Sequence, residues 1–163
     1  MDVIENYEIK LDELKKHFDS NDWETLSKEP NGIQQMLGIS DAALERFYTI
    51  GCKLLEERRW EDARDVFRFL TLLNPFVHNF WMGLGIGEQT SGNYEQAGIA
   101  YVMGEATDPD DPVVHANAYQ CYLALGDTVL AERSFKRALK SCERCGNEEL
   151  RENLINYKAN MAK

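Results

Sequence analysis

Sliding the 163-residue sequence against itself by 34 positions brings Ala63, Ala97 and Ala131 into one column and Phe67, Tyr101 and Phe135 into another. Pro75 then falls on Pro109, Phe47 on Trp81, Ile50 on Leu84 and Gly51 on Gly85. A shared period of this length constrains the fold more than any single motif does. A unit this short cannot bury its apolar face alone, so successive units must stack and complete one another's core. The columns divide the chain into units at 44–77, 78–111 and 112–145, with 43 residues before them and 18 after.

Within a unit the spacing is helical. Phe47, Ile50, Gly51 and Leu54 recur at three- and four-residue steps, which places them on one face of a first helix, and Ala63, Phe67 and Leu70 do the same for a second. Gly51 and Ala63 let the two backbones approach, and the ring at 67 fills the space beside them. Ser91-Gly92-Asn93 and Gly126-Asp127 supply the reversals between paired helices. Asp111-Pro112 reads as an N-cap followed by proline at the first helical position. Period, small residues and turns together resemble the tetratricopeptide repeat. That resemblance implies an all-α fold: three tandem repeats in a short superhelix with a concave groove, an N-terminal helical extension over 1–43 and a capping helix within 146–163. Two positions depart from the pattern. Glu88 stands where the other units have Leu54 and Tyr122, and Tyr119 stands where they have glycine, so the third pair is expected to pack wider.

The flanks read as caps and arms. Gly146 closes the last repeat helix, and Asn147 can cap a helix over about 148–159 with Leu150, Leu154, Ile155 and Tyr157 as its buried stripe. At the other end, Leu11, Leu14 and Phe18 suggest an amphipathic helix, a candidate homodimerisation element. A polar stretch from Ser27 to Gly32 and a short apolar turn around Ile33, Met36 and Leu37 follow it.

The chain carries 18 Lys plus Arg against 28 Asp plus Glu, a net charge of −10. Phosphate-rich partners would be repelled, which argues against nucleic acid and anionic membrane as partners. The charge is uneven: residues 1–43 hold ten acidic against four basic residues, and residues 78–111 hold six acidic and no Lys or Arg. This reads as an acidic arm plus an acidic middle to the groove. The start Met1-Asp2-Val3-Ile4-Glu5 lacks the basic and apolar regions of an export signal, and no apolar run approaches the roughly 18 residues of a membrane span. Cys52, Cys121, Cys142 and Cys145 are therefore expected as reduced thiols of a cytoplasmic protein.

Motifs for chemistry fail on their context. Cys142-Glu143-Arg144-Cys145 is half of a zinc site or a redox pair, but no second Cys or His pair follows and helical sequence precedes it. Gly83-Leu84-Gly85-Ile86-Gly87 imitates a phosphate loop, yet Glu88 takes the place of the third glycine and no Gly-Lys-Ser/Thr follows. Those glycines point instead to a backbone that something approaches closely. His17, His78 and His115 have no motif joining them to a nucleophile, and the acidic residues read as solvated helix faces. No catalytic residue, metal or cofactor is expected.

The groove is the more informative feature. With one face of each first helix in the core, the groove should be lined by Tyr48, Cys52 and Leu55, then Met82, Gly83 and Ile86, then Ala116, Asn117, Gln120 and Leu123. Apolar residues in a line mark a partner or a covering segment of the same chain, and concave repeat surfaces take extended peptides. A chaperone for an extended segment and an adaptor joining folded partners both fit this surface.

Longer segments resemble one branch of the repeat family, the class II chaperones of type III secretion. They are Gly38-Ile39-Ser40 leading into Leu44-Glu45-Arg46-Phe47-Tyr48, Trp60-Glu61-Asp62-Ala63 with Val66-Phe67, Phe80-Trp81-Met82-Gly83-Leu84-Gly85, and Gly92-Asn93-Tyr94-Glu95-Gln96-Ala97. A weaker match runs through Ala118-Tyr119-Gln120-Cys121 to Gly126. The resemblance implies a cytoplasmic, non-enzymatic, often dimeric helical protein that holds an extended segment of a secreted translocator in its groove. It implicates Tyr48, Cys52, Leu55 and Met82 to Ile86, with Trp60 near the groove edge. Cys52 and Leu55 replace aromatics often found at those places, which implies smaller pockets.

Overall fold

Short polar side chains set half of the helix starts. The computed structural model describes Glu29 and residues 31–161, and these residues form eight α-helices and no strand. They are α1 Gly32–Met36, α2 Asp41–Glu56, α3 Trp60–Leu73, α4 His78–Thr90, α5 Tyr94–Thr107, α6 Pro112–Ala124, α7 Thr128–Cys145 and α8 Glu148–Met161. Ser40, Asp111 and Asp127 accept backbone N–H bonds at the starts of α2, α6 and α7, and Pro112 opens α6. Asn147 does the same for α8, accepting from Leu150 N–H at 3.1 Å, after Gly146 ends α7 in the left-handed region.

Helices α2–α3, α4–α5 and α6–α7 form hairpins that stack in sequence order. The turn inside each hairpin places one residue in the left-handed region at the same point of the period: Arg58 (φ 59°), Gly92 (φ 81°) and Gly126 (φ 74°). Glycine adopts this conformation freely, whereas arginine does so under strain.

The core is built around one ring per hairpin. Phe67, Tyr101 and Phe135 are buried, as are Ala63, Ala97 and Ala131. The glycines expected to admit a close approach do so to these rings. A Cβ added at Gly83 would sit 2.3 Å from the Phe67 ring, one at Gly85 2.4 Å from Tyr101, and one at Gly51 2.9 Å from Phe67. The phosphate-loop imitation is thus a socket for the chain's own aromatics. In the third hairpin Tyr119 occupies the glycine position and its ring lies 5.2 Å from that of Phe135.

Glu88 is not a solvated carboxylate. It is 3% exposed, accepts from Arg68 at 2.6 Å and from Asn93 at 2.8 Å, and so ties α3 to the end of α4. The two described histidines hold the α5–α6 turn. His78 Nδ1 lies 2.9 Å from the Gly104 carbonyl and its Nε2 2.9 Å from the Asp111 carboxylate, while His115 Nε2 lies 3.1 Å from the Pro109 carbonyl.

The ends differ in detail from the sequence expectations. In α1 Met36 is buried and Leu37 packs on the first core cluster, whereas Ile33 is exposed and Gln34 is buried through bonds to Ile39 and Asp41. In α8 only Leu154 is buried and Leu150 half-buried. Ile155 and Tyr157 are each 40% exposed, with Tyr157 edge-on to Tyr119. Their apolar spacing suggests a wider stripe, but α8 packs mainly on α7 and reaches α6 only at Tyr119, which covers a narrow face. Leu11, Leu14 and Phe18, and with them the dimerisation element, lie outside the described residues.

Candidate peptide-binding groove

Because the second helix of each hairpin stacks outside, α2, α4 and α6 form the inner face. Side-chain contacts link them across it. Tyr48 on α2 meets Phe80 on α4 with ring centroids 5.8 Å apart, and Gln89 on α4 donates to Gln120 on α6 at 3.0 Å. Tyr101 in turn donates to Gln89 at 2.7 Å, so the polar link is anchored in the core.

Six of the residues proposed for the groove are half-buried on this face: Tyr48, Cys52, Leu55, Ile86, Gln120 and Leu123. Tyr48, Cys52 and Leu55 lean on the first apolar cluster with their other edges, and Leu123 leans on the cluster of the third hairpin. Ile86 packs in none of the three apolar clusters of the described residues. Burial pushes the Tyr48 hydroxyl pKa above the ordinary tyrosine range, with the neighbouring Cys52 adding to the effect, so this group stays a neutral donor.

Three proposed residues have other neighbours in the structure. Gly83 is buried under the Phe67 ring and offers no surface to the groove. Asn117, at the same point of the next unit, is half-buried as those six are. Met82 is wedged between α4 and the next hairpin, with its sulfur 3.7 Å from where a Gly104 Cβ would sit. Trp60 lines a separate cleft of about 380 Å³ with Arg58, Arg59, Glu61, Asp62 and Ser91, at the edge that carries the hairpin turns. Ala116 is also buried. The helical spacing alone could not separate a residue facing the groove from one facing the next ring, because the two directions differ by a single position.

Sequence reasoning missed the mouth of the groove. A cleft of about 260 Å³ opens between α2 and α4, with Leu44, Tyr48, Val77 and Phe80 as apolar walls and Asp41, Glu45 and Asn79 at its polar rim. Glu45 and Asn79 stand 34 residues apart, so the period could have paired them. It could likewise have placed Gln89 between Leu55 and Leu123. The acidity of the middle hairpin does not line the groove. Glu88 is buried against Arg68, Glu105 pairs with Arg137, Asp110 with Arg144, and Glu95 lies on the outer face. Asp41 and Glu45 instead rim the cleft between α2 and α4.

Helical hairpins at a 34-residue period, rings seated on glycines and a continuous inner face define a protein of the tetratricopeptide-repeat class. No family model matches the chain. It is 30% identical over 109 residues to the low calcium response locus protein H of Yersinia pestis, covering 67% of this chain and 65% of the length of that relative. PcrH, a Pseudomonas aeruginosa protein solved in complex with the chaperone binding region of PopB, is 31% identical and superposes with a TM-score of 0.68 over 72% of this chain and 95% of its own. SycD, a Yersinia enterocolitica type III secretion chaperone solved with a peptide of the translocator YopD, is 26% identical with a TM-score of 0.62 over 74% of this chain and 98% of its own. The chain belongs to this family, the class II translocator chaperones of type III secretion.

Proposed function

We propose that this protein is a chaperone that holds an extended apolar segment of a secreted translocator in the groove of α2, α4 and α6. The observation that carries the reading is the half-exposed line of Tyr48, Leu55, Ile86 and Leu123, which crosses all three hairpins. An extended peptide places alternate side chains along such a line, and a few anchors in pockets supply most of the affinity. The cleft beside Tyr48 suits one apolar anchor, and its Asp41 and Glu45 rim suits a neighbouring Lys or Arg on the cargo.

The division into an extension over 1–43, three repeats over 44–145 and a cap over 146–163 belongs to this proposal, as does a cytoplasmic location. No helix among the described residues is long and apolar enough to cross a membrane. The role is non-enzymatic in this reading. Burial raises the Cys142 thiol above its ordinary range, unlike a reactive thiolate, and His78 and His115 hold a turn. An adaptor that clamps a terminal carboxylate is disfavoured, because neither α4 nor α6 contains a Lys or Arg. Co-expression with candidate translocators tests the function: one of them should become soluble and co-purify. If every candidate stays insoluble beside the folded chaperone, the proposal fails.

A further inference from the structure

The three rings of the core column are not alike. Phe67, Tyr101 and Phe135 share one point of the period, and only the middle ring carries a hydroxyl. At a second shared point, on the first helix of each unit, stand Leu55, Gln89 and Leu123. In the first and third units this residue is a leucine packed on the apolar cluster that contains the ring. In the middle unit it is an amide that accepts from the Tyr101 hydroxyl at 2.7 Å. Phe with Leu has thus become Tyr with Gln, both partners changing together. The hydrogen bonds then continue to the next helix, where Gln89 Nε2 donates to Gln120 Oε1 at 3.0 Å.

This relay has one direction. Tyr101 is fully buried, and burial, with Cys121 beside it, raises its pKa well above the ordinary tyrosine range, so the hydroxyl keeps its proton. A buried hydroxyl proton needs an acceptor. Among the described residues that acceptor is Gln89 Oε1, which turns Gln89 Nε2 towards Gln120 and leaves Gln120 Oε1 to receive it. The other end of that amide, Gln120 Nε2, is then a donor with no partner among the described residues, at a half-buried position on the inner face.

Its surroundings give that donor a use. Ile86, at the same point of the preceding unit, and Leu123, one turn further along α6, are apolar. An extended segment laid along them cannot pair its own main chain as a helix does, so each carbonyl it buries needs a donor from the groove. Neither α4 nor α6 contains a Lys or Arg to serve.

We propose that Gln120 Nε2 donates to a main-chain carbonyl of the cargo where it crosses from the second hairpin to the third, with Tyr101 and Gln89 as positioning residues. This rests on the peptide groove proposed above and names the atom in it that holds the cargo backbone. Tyr101, being wholly buried, acts only through the two amides.

Titration calorimetry on the full-length chain tests this, with a synthetic peptide of the co-purifying translocator segment as probe. Gln120→Met keeps the length of the side chain and removes the donor, and should weaken binding about tenfold. Tyr101→Phe with Gln89→Leu installs the pair that the neighbouring hairpins already carry. It should weaken binding about threefold while the helical circular dichroism is kept. Added to Gln120→Met, the same two substitutions should cause no further loss, whereas a purely structural role would lower affinity equally in both backgrounds and would overturn the proposal. Replacing the peptide's main-chain amides by esters, one at a time, weakens one carbonyl in each probe. One such ester should lose affinity for the native chain and lose none for Gln120→Met. Ile86→Asp separates this assignment from the groove itself. If it abolishes binding while Gln120→Met binds as the native chain does, the donor assignment fails and the groove stands. If neither substitution weakens binding, both fail.

Discussion

In the first two hairpins a ring lies over a glycine, and in the third a ring lies beside another ring. Gly51, Gly83 and Gly85 leave room that Phe67 and Tyr101 fill completely, so those joints are close and intolerant of any added atom. Tyr119 and Phe135 instead share the same volume side by side, and Tyr157 of the capping helix closes the set. The 34-residue period therefore specifies where a joint falls. What fills it is a local solution, and the solution changes where the array must end on a cap.

Substitutions that exchange the two solutions would break the comparison. The largest effect belongs to Tyr119→Gly, which makes the third hairpin match the other two in sequence. With no ring shaped to enter the vacated space, it should lose about 4 kcal/mol in urea denaturation. If the joints were interchangeable, the variant would be near neutral. Next is Arg68→Ala, which leaves the buried Glu88 with Asn93 alone and should cost about 3 kcal/mol. Glu88→Gln, which can keep both partners, should cost clearly less in the same assay.

Gly83→Ala comes third. Pushing a methyl group against Phe67 should give a net loss of about 2 kcal/mol, overpacking outweighing a helix-propensity gain of about 1 kcal/mol. A stabilised variant would mean that the Phe67 ring can move aside. The smallest effect sharpens the comparison at the turns. Arg58→Gly gives the first hairpin the residue that the second and third already have at this left-handed position. It should raise stability by about 0.5–1 kcal/mol, the relieved strain exceeding the added unfolded-state freedom.

Much of this was legible in the residues. Columns of alanine and aromatic residues at one period gave the hairpins, and Asp111-Pro112, Gly146 and Asn147 gave helix ends with a mechanism for each. The side-chain directions were less legible. Gly83 shares a helix with Ile86 and its spacing suggests the groove, whereas the ring of the preceding hairpin claims it. Glu88 looks solvated in the sequence because its partner, Arg68, lies 20 residues away on another helix and no local pattern joins them. The middle acidity misled in the same way, since net charge in a segment carries no direction. Ile155 and Tyr157 have the spacing for burial, but α7 and Tyr119 of α6 cover only part of that face of α8.

The central claim, that the inner face holds the cargo, rests most directly on Ile86, which is half-buried and belongs to none of the core clusters. Binding of the full-length protein to the translocator segment identified by co-expression should be measured by titration calorimetry for the native chain, Ile86→Asp and the outer-face variant Ile99→Asp. Ile86→Asp should weaken binding at least tenfold with its thermal unfolding unchanged, while Ile99→Asp should bind as the native chain does. Unchanged affinity in Ile86→Asp, or a loss confined to Ile99→Asp, would contradict that claim.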